Sequence, residues 1–259
     1  FVFKMGVSGA AVATMISQVG SFVVLLGYGT TRRGNVPIRL RAFSPSSEGY
    51  REIFRGGIPS LLRQSMMSVA TVAINHFAGN YGDAAIAAIT IVNRIGMVAT
   101  SIMLGFGQGF QPVCGFNYGA KLFERVREGF WFSIRISAGW LVVAAAALAF
   151  FAPEVIALFR NDAEVIRIGT LGLRLVCISL PFSSWIVMSN MMMQTIGRAR
   201  DASILAASRQ GIFLFPALFI CAPLFGLVGV QVATPIADLL SFLLAIPLGI
   251  RVLKSLKEA

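Results

Sequence analysis

The sequence predicts an all-α fold, a polytopic membrane helix bundle of about seven transmembrane helices. The chain is 56% hydrophobic and only 13% charged, with a mean hydropathy of +0.78, far from the balance of a water-soluble domain. Apolar runs recur near 5–27, 56–77, 83–113, 129–151, 164–194, 203–222 and 227–250. Crossing a hydrocarbon layer about 30 Å thick takes roughly 20 helical residues, and these runs are too long and too evenly apolar for barrel strands. The third observation is charge. Arg32, Arg33, Arg39, Arg41, Arg51, Arg55, Lys121, Arg125, Arg127, Arg198, Arg200, Arg251, Lys254 and Lys257 follow the first, third, fifth and seventh runs, whereas Arg160 and Arg167 lie on the other side. The positive-inside rule makes the basic side cytoplasmic, so the chain enters from outside and its C-terminus is cytoplasmic.

Each run has its own justification. The first carries Gly6, Gly9, Ala10, Ala13, Ser17 and Gly20, small residues that let another helix approach. The Pro-, Ser-, Gly- and Arg-rich stretch that follows reads as an extended cytoplasmic linker, giving a division into residues 1–28, a linker over 29–55 and a six-helix unit over 56–259. Gly79-Asn80-Tyr81-Gly82 reads as a tight external turn, as does Ala222 to Gly226. Ala152-Pro153-Glu154 ends the fourth run, with a short surface helix expected up to Asn161. The opening FVFKMGVSGA lacks the n-region of a signal peptide, and an odd number of runs with an external start is expected of a piece of a longer, two-lobed protein.

A net charge of +11 would suggest nucleic acid in a soluble protein; here it is a topology signal, and the bilayer with its anionic head groups is the expected partner. Cys114, Cys177 and Cys221 have neither metal-site nor disulfide spacing and read as small apolar filler. No metal, cofactor or catalytic residue is expected. His76 and Asp238 are the only candidates for an intramembrane enzyme, and His76 falls at a helix end where a solvated histidine is ordinary.

Polar residues in hydrocarbon are costly, so their faces are informative. Gln64, Ser68, Thr71 and Asn75 form one stripe on the second run; Arg94, Ser101 and Gln108 form one on the third; Ser183, Asn190 and Gln194 on the fifth; Gln231, Thr234, Asp238 and Ser241 on the seventh. Four such stripes predict a shared wet interior that binds substrate, the competing reading being interhelical hydrogen bonds that hold the bundle together. Arg63, Arg135 and Arg209 lie near cytoplasmic helix ends and are expected to snorkel, while Arg94 and Arg174 lie deeper. Asp238, the one acid well inside a run, is expected to be a structural partner of an arginine or of Gln231. In GFGQGFQPVCGFNYGAK (105–121), Gly105 and Gly109 form a GxxxG contact pair, Pro112 weakens the helix, and Gln108 and Gln111 can satisfy the freed carbonyls. Met188, Met191, Met192 and Met193 are adaptable side chains suited to a ligand surface or to lipid.

Four stretches carry a resemblance: GIPSLLRQSMMS (57–68), GDAAIAAITIVNRI (82–95), the 105–121 segment and QTIGRARDA (194–202). In order and spacing they resemble the second half of the multidrug and toxic compound extrusion (MATE) family, in its MepA-like bacterial branch. The resemblance implies that residues 1–28 are the last N-lobe helix, 29–55 the inter-lobe loop and 56–259 the six-helix C-lobe. It implies a bacterial inner-membrane exporter of small cationic or amphipathic drugs, working with the N-lobe of the same polypeptide by alternating access in exchange for H⁺ or Na⁺. Members similar to NorM carry acids in the first and fourth C-lobe helices. This chain has none at mid-depth there, so its resemblance implies a coupling carboxylate in the N-lobe. The competing functions are a flippase for lipid-linked oligosaccharides, whose cavity would need more cations than Arg94 and Arg174, and a non-transporting membrane scaffold.

Overall fold

A computed structural model describes residues 6–30 and 46–256. Helices make up these residues: α1 (Gly6–Thr30), α2 (Ser47–Gly79), α3 (Asp83–Gly119), α4 (Phe123–Phe150), the short α5 (Ala152–Phe159), α6 (Ala163–Thr195), α7 (Ala199–Ala207) and α8 (Leu214–Ser255). A five-residue π-helical turn, Ser208–Ile212, joins α7 to α8. Two compact units result, residues 1–51 and 52–259. In the first, α1 carries one apolar stretch, Ala11–Gly27. In the second, α3, α4, α6 and the stretch Ala199–Ser255 are long and apolar enough to cross a membrane.

Among the described residues the predicted apolar runs are helical, the run at 203–222 spanning α7, the π-turn and the start of α8, but the boundaries move. Helix α2 begins at Ser47, inside the predicted linker over 29–55, because the Ser46 hydroxyl caps it by accepting from the Gly49 amide at 3.0 Å; the remainder of that linker, 31–45, lies outside the described residues. Pro112 does not end α3, which runs on to Gly119 and reverses over three residues with Lys121 at φ 59°. Arg125 and Arg127 therefore sit on the first two turns of α4 rather than in a loop. At 79–82 the predicted turn forms, with the Tyr81 amide donating to the Ala78 carbonyl at 3.0 Å and Gly82 at φ 93°. Asp162 caps α6 through bonds from the Glu164 and Val165 amides.

The sixth and seventh runs are the two arms of α8 and what precedes it, separated by a break at one residue, Gly226 (φ 61°, ψ −137°). That conformation is open to glycine and strained for any residue with a Cβ. The break folds the arms so tightly that a Cβ on Gly229 would strike the Cys221 carbonyl.

Helix α6 is the centre of the larger unit. Its C-terminal half meets α3, α4, α7 and the end of α8 in a cluster around Met103, Phe130, Leu141, Met188, Met192 and Leu205. The N-terminal half meets α3, α4 and α5 around Ile95, Ile156, Val165 and Leu173. A third cluster seats α2 through Ala70, Ile74 and Ala78 on Ile89 of α3 and on Leu214, Leu218, Val230 and Ala233 of α8. Lipid tails are as apolar as these side chains, so close packing rather than the hydrophobic effect holds the helices together. Glycines provide the close approach: a Cβ at Gly169 would lie 3.0 Å from Ile156.

The fold makes a direct prediction. Gly226→Ala should destabilise the full-length protein by about 1–3 kcal/mol from backbone strain. Gly229→Ala, with rigid backbone opposite it, should destabilise it by at least as much. Thermal unfolding in detergent reads both, and Gly105→Ala, with nothing within 4 Å of its Cβ position, should leave the melting temperature unchanged.

Candidate functional site

The four polar stripes separate into two kinds. On α2, Gln64, Ser68 and Thr71 are exposed and Asn75 half-buried, about 90° round the helix from the apolar face that seats it. The hydroxyls bond their own helix, Ser68 to the Gln64 carbonyl at 3.3 Å and Thr71 to that of Met67 at 2.8 Å, which leaves the two amides presented outward. On α3, Arg94, Ser101 and Gln108 are all exposed, with Ser101 donating to the Met97 carbonyl at 2.7 Å. These two stripes form outward-facing polar faces.

The stripes of α6 and α8 lie inside. Ser183 and Asn190 are buried and Gln194 half-buried. Asn190 Nδ2 donates to the Ala202 carbonyl at 2.7 Å, tying α6 to α7, and Gln194 Nε2 donates to Ser60 Oγ at 2.9 Å, tying α6 to α2. Gln231 Nε2 reaches the Ile168 carbonyl at 2.9 Å, passing Gly172, where a Cβ would lie 3.1 Å from that nitrogen. Ser241 accepts from Ser208 at 3.4 Å. The fourteen residues of the four stripes are therefore not brought together within this unit. What lies between α2, α3, α6 and α8 is a cavity of about 20 Å³, the size of one water, bordered by Ile74, Asn93, Gln231 and Thr234.

The most concentrated polar chemistry is at Asp238. Its side chain is 3% exposed and accepts from Arg209 Nε and, at 3.4 Å, from Arg209 Nη2, while Ser179 Oγ donates to Oδ2 at 2.9 Å. Three segments thus converge: α6, the π-turn and α8. The partner is an arginine, but neither of the deeper pair. Arg94 is exposed, and Arg174 is exposed with Nε directed to the Ala149 carbonyl at 3.3 Å. Arg209, expected to snorkel, is turned inward and is only 27% exposed, because the π-turn rotates it toward α8. The structure describes no side-chain position for Arg63; Arg135 is exposed.

Two further expectations need correction. Gly105 and Gly109 are exposed with nothing within 4 Å of their Cβ positions, so within this unit they make no helix contact. The close contact is at Gly107, where a Cβ would strike Met191 Sδ. The buried face of α3 runs through Met103, Gly107, Phe110 and Cys114, about 200° round the helix from Gly105 and Gly109. Met188, Met191, Met192 and Met193 are all buried in the bundle, facing neither ligand nor lipid. In the same segment Gln111 is half-buried, Pro112 is exposed within continuous helix, and the side-chain bond runs from Asn117 Nδ2 to the Val113 carbonyl at 2.8 Å. Among the described residues no group of histidine, cysteine, aspartate and glutamate is placed to hold a metal. The three cysteines are free and buried, and His76 is exposed against the ring of Phe77. Sequence reasoning missed Ser60, Asn93 and Ser179; Ser179 lies one turn before Ser183, on the stripe already recognised.

Fold and polar architecture define a multi-pass α-helical membrane protein. The chain belongs to the MatE family, whose sequence profile matches residues 59–220. It is 30% identical over 245 residues to the multidrug export protein MepA of Staphylococcus aureus, covering 95% of this chain and 54% of that protein. To the MepA of Staphylococcus saprophyticus it is 28% identical over 247 residues, with the same coverage. Among solved structures, MATE in complex with MaL6 superimposes with a TM-score of 0.89 at 28% identity, covering all of this chain and 59% of the other. An outward-facing multidrug resistance MATE family transporter of the MOP superfamily gives 0.88 at 28% identity, covering 100% and 59%. The chain spans about half the length of the curated relatives it matches.

The ion pair is testable as an energetic unit. Arg209→Met alone should destabilise the full-length protein by about 3–5 kcal/mol, because Asp238 is left buried without its cation. Adding Asp238→Asn should recover most of that loss, as read by thermal unfolding in detergent.

Proposed function

We propose that this chain is the C-terminal lobe, with the last helix of the N-lobe, of a multidrug exporter that drives cationic or amphipathic drugs outward in exchange for H⁺ or Na⁺. The observation that carries this reading is the likeness to multidrug export proteins over 95% of the chain. The exposed polar faces of α2 and α3 support it: Gln64, Ser68, Thr71, Arg94, Ser101 and Gln108 are poorly suited to hydrocarbon and well suited to a water-accessible passage shared with a second lobe. A passage accepting varied drugs needs adaptable polar contacts rather than one fixed constellation. The protein would lie in a bacterial inner membrane with its C-terminus cytoplasmic, and no enzymatic step is required. Asp238 is committed to Arg209 and Ser179, which agrees with a coupling carboxylate located in the N-lobe.

The substrate reading is tested by efflux from cells carrying the full-length protein. Ser68→Leu should change resistance unequally among drugs at normal protein levels. Asn190→Leu should instead lower the amount of folded protein, since it removes the buried tie to Ala202. Equal loss for every drug in Ser68→Leu would count against the α2 stripe as a substrate face. Orientation is tested with single cysteines: one at Asn80 should label from outside, one at Lys254 only with reagents that reach the cytoplasm.

A further inference from the structure

We infer that Asp238 and Arg209 are positioning residues that set the seat of α2, and through it the presentation of the Gln64–Ser68–Thr71–Asn75 stripe, by holding the π-turn open. The inference rests on the reading of that stripe as a substrate face.

A π-turn takes in one residue more than an α-helical turn; here the Phe213 amide donates to the Ser208 carbonyl, five residues back, at 3.0 Å. One extra residue rotates everything after it by about 100° relative to what precedes. Such a turn forgoes regular α-helical bonding and persists where tertiary contacts hold it. In this bundle the contact is electrostatic. Arg209, the second residue of the turn, is drawn to a nearly fully buried carboxylate on α8, which Ser179 holds in place from α6. Asp238 has no other cation against it among the described residues, so it can be satisfied only while the turn points Arg209 inward.

The turn also forms part of the floor beneath α2. Gly211 lies so close to α2 that a Cβ there would be 3.1 Å from Met66 Sδ and 3.8 Å from Met66 Cγ. Directly after the turn, Leu214, Ala217 and Leu218 form the surface on which Ala70, Ile74 and Ala78 rest. A turn relaxed to regular α-helix would rotate one side of this floor against the other. Met66 would lose its place over Gly211, and the apolar face of α2 would no longer match its seat. The outward stripe lies about 90° round α2 from that face, so the angle at which it is presented follows the turn. The turn thus links a buried ion pair to an exposed polar face through packed contacts.

The test pairs a cross-link with a drug profile in the full-length protein. Cysteines replacing Met66 and Gly211 should form a disulfide on oxidation, since the Met66 Cγ position, where a cysteine sulfur would sit, lies 3.8 Å from the Cβ position of Gly211. In the Arg209→Met/Asp238→Asn background, which leaves no unpaired charge, the yield should fall roughly ten-fold, and without the cysteine pair the ranking of resistance among drugs should change. Arg209→Lys keeps the charge but lacks the planar fork, and should give intermediate yield. Cys177→Ala, buried on α6 away from the turn, should match the parent in both measurements. Parental cross-linking in folded Arg209→Met/Asp238→Asn protein would overturn the inference, as would parental cross-linking in Arg209→Lys should the double variant not fold. Absence of drug export in the parent would count against the proposed function alone, because the cross-link reads the seat of α2 without transport.

Discussion

A carboxylate inside an apolar bundle has to be met by a positive charge and by hydrogen-bond donors, and in this protein that requirement is concentrated at Asp238. Removing an ion from water costs several kcal/mol even after relaxation, so Asp238 is tolerable only with Arg209 and Ser179 in place. The consequence extends beyond the pair. Arg209 sits on a π-turn that joins α7 to α8, Ser179 is on the central helix α6, and Asp238 is on the distal arm of α8. One electrostatic demand thereby sets the relative register of three segments. It also explains why the helix is interrupted at Ser208–Ile212, where no proline stands to end it.

Around that fixed point, packing proceeds by removing side chains rather than by adding apolar area. Gly107, Gly169, Gly172 and Gly211 each stand where a Cβ would crowd a neighbour: Met191, Ile156, Gln231 and Met66. The four methionines of α6 work from the other side of the same problem, since an unbranched thioether can fill the irregular space that a bare backbone leaves. Small residue against flexible residue is the recurrent contact in this bundle. It suits a lipid environment, where burial itself confers no preference for protein over lipid neighbours and contact quality decides.

The helices were legible in the sequence because hydrocarbon imposes a length and composition that local pattern alone satisfies, and among the described residues the apolar runs are helical. Boundaries were less legible. Pro112, expected to weaken α3, leaves it continuous, since a proline near the last turns of a long helix removes one bond without breaking the rest. The single-residue break at Gly226 was predicted as a longer turn for want of any signal distinguishing the two. Within the site, period told which polar residues share a face but not which way the face points. Gln64, Ser68 and Thr71 look outward while Ser183 and Asn190, at similar spacing, look inward. Arg209 was misplaced for the same reason: a depth estimate from chain position cannot include the rotation that a π-turn adds. Gly107 was overlooked in favour of Gly105 and Gly109 because a GxxxG spacing identifies a face without showing that a partner lies against it.

On the reading proposed above, the division between inward and outward polar residues bears on what half a transporter would need. Inward groups such as Asn190 and Gln231 donate to backbone carbonyls of neighbouring helices, so they fix geometry, with Asn190 Oδ1 left buried without a partner. Outward groups bond only within their own helix or present free amide and guanidinium edges. A lipid-facing surface that carried these groups would be costly along α2 and α3. A face that meets water, or the polar face of a second lobe, removes that cost and leaves the same edges available to solutes of varied shape. On the proposed reading, then, the residues that stabilise this lobe and those that serve transport are nearly disjoint sets. The π-turn is where they meet, since the ion pair that stabilises the interior also sets the seat of the helix that carries the outer face.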